Sequence, residues 1–360
     1  SNCFGNINNI TEAIGHTPLL KLNKIGKDAG ANVFVKLEHL NPSGSYKDRM
    51  ALAMVNAAEE GNTWNGKKLP ADGVVVEASA GNTAPALALV CAAKGLKARL
   101  VLYRYQFEGE TNSRMQITQA FGPEVTVSSE PGDYLTEEQV AEFSKEEPDI
   151  PHVIAAKMDC QRMEDGDPKT VWVDQIYNMA NLDGQKSMAR EIYDQLDGKI
   201  DAIGCSVAAG GTLYGLCEGL AELGVHPEMT FGVVPSGSEC YLSLPKRECS
   251  YGEYKVSDAR HKVAAAMGLD KWVTEESIIH KMVKAGYPDK CFLVTDEEAR
   301  AMANRLCREE GIFCGMSSGA NVLIALEIAK RLGPGKNVVT TIVDRRDRYL
   351  CEMPYEKYVV

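Results

Sequence analysis

Short apolar runs alternate along the chain with longer stretches whose apolar residues recur every three or four positions. Residues 33–37, 74–77, 98–103, 125–127, 202–205, 230–234 and 338–343 read as strands. Residues 48–60, 83–93, 112–121, 136–145, 186–196, 212–223, 297–309 and 321–331 read as amphipathic or buried helices. This alternation predicts βαβ units: an α/β fold of parallel-rich sheets flanked by helices. The units fall into two groups, so two α/β domains with a cleft between them are expected. Residues 158–184 and 236–290 carry the least regular pattern and are expected to border the active site.

Composition narrows the classes. The chain has 360 residues, 44% hydrophobic and 25% charged, enough for a large core without staples. Lys+Arg is 39 against 50 Asp+Glu, a net charge of −11, which speaks against a nucleic-acid partner. No run approaches the ~18 apolar residues of a membrane span. The start shows no basic region followed by an apolar one, so no signal peptide and a cytoplasmic location are expected. The 11 cysteines are scattered without a C-x-x-C pair and read as buried small hydrophobes in a reducing compartment. The six histidines lack ligand spacing, so no bound metal is expected.

Three clusters carry candidate chemistry. In Asn41-Pro42-Ser43-Gly44-Ser45-Tyr46-Lys47-Asp48-Arg49 a turn delivers a lysine to a helix start, where the positive helix end lowers the ammonium pKa. A neutral amine can form a Schiff base with an aldehyde, although a solvated loop lysine fits the same residues. Glu77-Ala78-Ser79-Ala80-Gly81-Asn82-Thr83 joins a strand to a helix and offers hydroxyls and free N–H groups to an anion, or simply a capped turn. Cys205-Ser206-Val207-Ala208-Ala209-Gly210-Gly211-Thr212 lets backbone N–H groups approach a phosphate. It is neither G-x-G-x-x-G nor a Walker loop, which removes the usual nucleotide-binding oxidoreductase signature.

Order and combination make these clusters specific. With Gly15-His16-Thr17-Pro18-Leu19 before them, and Gly311-Ile312-Phe313-Cys314-Gly315-Met316-Ser317-Ser318-Gly319-Ala320 and Asp344-Arg345-Arg346-Asp347-Arg348-Tyr349-Leu350 after, the chain resembles the cysteine synthase and cystathionine β-synthase group of fold-type-II, tryptophan-synthase-β-like pyridoxal-phosphate enzymes. The resemblance spans most of the chain. It implies a smaller mobile domain, 41–158, carrying the lysine and carboxylate loop, and a larger domain, 12–40 plus 159–350, carrying the phosphate loop. It implies pyridoxal 5′-phosphate as cofactor, an amino-acid substrate, and a homodimer.

By that resemblance Lys47 is the Schiff-base lysine and α-proton base, and Asn82 bonds the cofactor 3′-oxygen. Ala208, Ala209, Gly210, Gly211 and Thr212 cradle the phosphate. Ser79, Ala80, Gly81 and Thr83 hold the substrate carboxylate, with Gln175 nearby.

The chain also departs from the group's pattern. The phosphate loop reads A-A-G-G-T where G-T-G-G-T is usual, losing a hydroxyl. Ala80 replaces a serine, which removes a donor at the carboxylate. The segment 261–269 lacks the group's glycine-rich run near the substrate entrance. Arg345 stands where the group has a serine facing the pyridine nitrogen. A guanidinium there cannot accept a proton and would keep that nitrogen unprotonated, weakening the electron sink. Arg345 could instead bind an acidic substrate or pair with Asp344 or Asp347. The expected reaction is β-replacement through an aminoacrylate. The alternatives are a β-elimination lyase, another pyridoxal-phosphate reaction on a specialised amino acid, or a catalytically weak regulatory homologue.

Overall fold

The computed structural model describes residues 5–79, 81–103, 113–145, 149–235, 248–249 and 277–350. The chain enters through β1 (Leu19–Lys21) and β2 (Asn32–Leu37) and reaches helix α1 (Lys47–Glu60). It then alternates through β3 (Val74–Ala78), α2 (Thr83–Lys94), β4 (Lys97–Leu102), α3 (Ser113–Ala120) and β5 (Glu124–Val127). Helices α4 (Glu137–Ser144) and α5 (Ile150–Gly166) lead to β6 (Thr170–Trp172) and α6 (Ala180–Leu196). The second half runs β7 (Ala202–Ser206), α7 (Gly211–Glu222), β8 (Met229–Pro235), β9 (Glu248–Cys249), α8 (Ile278–Lys284), β10 (Lys290–Val294), α9 (Asp296–Arg305), α10 (Met316–Leu332) and β11 (Asn337–Ile342).

Among the described residues the strands form two sheets. The larger has the order β1-β2-β11-β7-β8-β10-β9, parallel from β2 to β10 with antiparallel edges. The smaller has the order β5-β4-β3-β6 and is parallel throughout. Its central strand β3 is buried on both faces, as helices on each side of a parallel sheet require. Crossovers therefore place strand-to-helix turns at the carboxyl ends of both sheets, where such sheets hold ligands.

Three expectations change here. Residues 158–184 are mostly regular. Polar residues inside α5 — Lys157, Asp159, Gln161 and Glu164 are all buried — break the apolar period that would reveal it. Strand β6, at 170–172, pairs with β3, so the smaller sheet extends past the expected boundary at 158. The helix expected over 297–309 ends at Arg305 and continues as a π-helical turn, Leu306–Glu310. The segment 261–269 and Ala80 lie outside the described residues.

Candidate active site

The loop before α1 is fixed from both sides. The Asp48 carboxylate accepts Ser43 N at 2.7 Å and the Ser43 hydroxyl. Tyr46 N donates to Val343 O at the end of β11 at 3.0 Å, and Ser45 bridges Asp344. Gly44 has φ +92°, and a Cβ there would lie 2.6 Å from Arg348 Nη2, so only glycine suits this turn. The loop thus presents Lys47 as the first residue of α1. Its Nζ lies 5.0 Å from the Tyr46 ring centroid and pairs with no carboxylate among the described residues. Burial pushes the Lys47 amine down to about 8, with Cys205 and Glu77 opposing the shift. A substantial neutral fraction at physiological pH is what a nucleophilic or basic lysine needs.

Two further turns converge on it. After β7, Gly210 takes φ +88° and starts α7. Among the described residues no acceptor takes the N–H groups of Gly210, Gly211 or Thr212, the unfilled first turn of a helix. A Cβ on Gly211 would overlap the Asn181 side chain, whose Oδ1 is buried and unpartnered. Thr212 acts on the Tyr46 hydroxyl, which burial pushes well up, so this turn lies beside the lysine loop. Bare Cα atoms, free N–H groups and a lowered lysine are a good fit to a phosphate-bearing aldehyde. Ala208 and Ala209 precede Gly210 in the same turn.

After β3, Ser79 Oγ accepts Gly81 N at 3.2 Å and the chain enters α2 at Thr83. The Thr83 hydroxyl donates to Gln175 Oε1 at 2.7 Å, so the structure brings Gln175 to this turn. Asn82 Nδ2 donates to Asp344 Oδ2 at 2.6 Å, and Asn82 Oδ1 accepts from Arg348 Nη1. The expected 3′-oxygen partner is thus held by two residues that follow β11. Tyr349 completes the group by donating its hydroxyl to Asp344.

Arg345 pairs within its own segment, with its guanidinium 3.2 Å from where a Cβ on Gly44 would lie. Its Nη2 pairs with Asp347 Oδ2 at 2.9 Å, and its side chain is 41% exposed. The backbone at 345 is extended, so side chains alternate: Asp344 points in, Arg345 out, and Arg346 in again, donating to Cys314 O at 2.8 Å. The residues sequence reasoning missed are Asp344, Arg348 and Asn181. The first two stood in the terminal motif beside Arg345, and Asn181 stood six residues after Gln175.

A lysine at a helix start beside two turns with free backbone N–H groups suits the site of a pyridoxal-phosphate enzyme. Residues 10–344 match the family described as pyridoxal-phosphate dependent enzyme, and the chain belongs to it. It is 33% identical over 346 residues to the probable cysteine synthase of Bacillus subtilis, covering 95% of this chain and 96% of that one. It is 31% identical over 350 residues to cysteine synthase 1 of Emericella nidulans, covering 97% and 85%. A hydrogen sulfide-producing enzyme of Fusobacterium nucleatum superposes with TM-score 0.73 at 25% identity over 96% of this chain and 99% of that one. The cysteine synthase of Entamoeba histolytica shares the fold, with TM-score 0.74 at 24% identity over 100% and 94%.

Proposed function

We propose that the protein replaces the β-substituent of an amino acid with a sulfur nucleophile. The observation that carries this reading is Lys47, a lowered amine without a carboxylate partner, between the phosphate turn and the anion turn. Lys47 and the 208–212 turn would hold the cofactor, and Asn82, already oriented by Asp344 and Arg348, would border it. When bound, pyridoxal phosphate supplies an electron sink for the substrate's α-carbon. The N–H groups of Asn82 and Thr83, with the Ser79 hydroxyl, orient the substrate carboxylate, and Gln175, which accepts the Thr83 hydroxyl proton, holds this turn in place. Lys47, freed as a neutral amine, accepts the α-proton. The leaving group departs from the β-carbon, the nucleophile bonds there, and Lys47 returns the proton to the α-carbon. A mobile smaller unit, built on the β5-β4-β3-β6 sheet, would close over the cleft and exclude water.

β-Elimination is the second reading, favoured by likeness to the sulfide-producing Fusobacterium enzyme. Incubating the holoenzyme with O-acetylserine and other β-substituted alanines, with and without sulfide, separates the two. Replacement gives cysteine in proportion to sulfide, whereas elimination gives pyruvate and ammonia whether or not sulfide is present. Absence of both products across the panel would reject the proposal. We also read the protein as a cytoplasmic homodimer. Cys91, Cys160, Cys205, Cys217, Cys291, Cys307 and Cys314 are free thiols, and Leu40, Phe313 and Leu350 are exposed. No described helix is long and apolar enough to cross a membrane.

A further inference from the structure

The turn after β6 is restrained more heavily than a simple connection requires. Val173 N still bonds Val76 O at 3.2 Å, and Asp174 then takes φ +36°, a left-handed conformation costly for a residue with a Cβ. Asp174 is fully buried. Its Oδ1 accepts Ile176 N at 3.0 Å and Lys157 Nζ at 3.2 Å, and its carbonyl accepts Asn178 N at 3.0 Å. The Lys157 ammonium sits 5.5 Å from the Trp172 ring and 5.6 Å from the Tyr177 ring. From the opposite side, Glu77 Oε2 accepts Gln175 N at 2.9 Å. Gln175 is thereby gripped by its neighbour on one side and by β3 on the other. Its carbonyl accepts Asn181 Nδ2 at 2.8 Å, and its side chain accepts the Thr83 hydroxyl at 2.7 Å.

We infer that Asp174, anchored on Lys157, is a positioning residue for the amino-acid substrate: it fixes the Gln175 turn and, because Gln175 accepts the Thr83 hydroxyl, the backbone of the 79–83 turn. The inference rests on the proposed reading that the 79–83 turn takes the substrate carboxylate. Among the described contacts Asp174 bonds neither the Lys47 loop nor the phosphate turn. Its loss should therefore weaken substrate binding and leave the chemical step and the cofactor in place.

The test compares Asp174→Ala, Asp174→Asn and Thr83→Val holoenzymes with wild type, using the amino acid that the product screen returns. KM, kcat and cofactor absorbance are measured for each. Asp174→Ala should raise KM about tenfold with kcat changed less than about threefold, the signature of lost binding common to ground and transition state. Asp174→Asn keeps an acceptor for Ile176 N and should fall between wild type and alanine. Should the alanine variant fail to fold, a rise in KM of about threefold in Asp174→Asn, at constant kcat, stands as the required result. Unchanged KM in the Asp174 variants while Thr83→Val raises it would overturn the positioning role. So would loss of cofactor or kcat in step with KM. Unchanged KM in Thr83→Val would instead overturn the underlying reading of the 79–83 turn.

Discussion

Lys47 sets stability against chemistry within a single side chain. Burial lowers its amine to about 8, so at neutral pH the folded state carries an ammonium it holds poorly. For a base with a lowered folded value, the destabilisation is complete below about 8 and vanishes above the ordinary value of 10.5. Lys47→Met should therefore raise the thermal midpoint of the apoprotein at pH 7 and lose covalent cofactor attachment. The gain should shrink as pH rises from 8 to 10.5. Calorimetry across that range, with borohydride trapping of the cofactor, measures both; an unchanged midpoint at pH 7 would contradict the burial argument. Arg345 gives the opposite case. Its partner Asp347 is near the surface, and such pairs contribute about 0.5 kcal/mol or less. Arg345→Ser should leave the bound cofactor's spectrum and the product ratio at wild-type values. A shifted absorbance maximum would show the side chain reaching the ring after all.

At the scale of elements, the turns govern what the helices can do. Gly210 reaches its φ of +88° because it lacks a Cβ, and Ile279 Cα of α8 lies 3.2 Å from where one would be. Gly210→Val should lower cofactor retention in gel filtration at least about tenfold, whereas Ser317→Ala should retain it. Equal retention in wild type and Gly210→Val would remove the phosphate from this turn. The same turns explain what could be read from the sequence. Strands β3, β4, β7 and β11, with helices α1, α2 and α7, are continuous apolar or amphipathic segments and show plainly in the pattern. Helix α5 does not, because its buried Lys157, Asp159 and Glu164 serve Asp174, Ser129 and Trp172 in partnerships remote in sequence. Strand β1, with three residues, is too short to carry a period. The site was legible where a motif is contiguous, as at 41–49 and 79–83. The pairing of Arg345 with Asp347 was not legible, because motif position specifies the backbone, while the direction of a side chain follows from the extended alternation around Asp344.

Across the whole molecule, a buried ion network joins β2, α1 and α6. Arg49, two residues after Lys47 in α1, bonds Glu38 through Nε and Nη2 at 2.8 Å each. Its Nη1 and Nη2 also reach Glu191 of α6 at 2.8 Å each. Lys36 of β2 reaches Glu191 at 2.7 Å and the Thr17 carbonyl at 2.5 Å. The opening motif wraps this group: Gly15 N donates to Asn41, His16 N to Glu191, and the Thr17 hydroxyl to Glu38. Two cations and two anions balance, so removing one leaves charge buried without a partner. Burial alone would raise the Glu191 carboxyl, but Arg49 and Lys36 hold it down to about 2. Its stabilising contribution is therefore complete above the ordinary value of 4.5 and is lost as pH falls toward about 2. Glu191→Gln should lower unfolding stability by about 3 kcal/mol at pH 7. The difference from wild type should narrow progressively below pH 4.5. Because Arg49 lies one half-turn from Lys47, the variant should also slow cofactor capture at pH 7. Denaturant titrations at pH 7 and pH 3 measure the first effect, and the rate of absorbance gain on adding cofactor measures the second. An equal loss of stability at both pH values would show that Glu191 acts through packing and not through its charge.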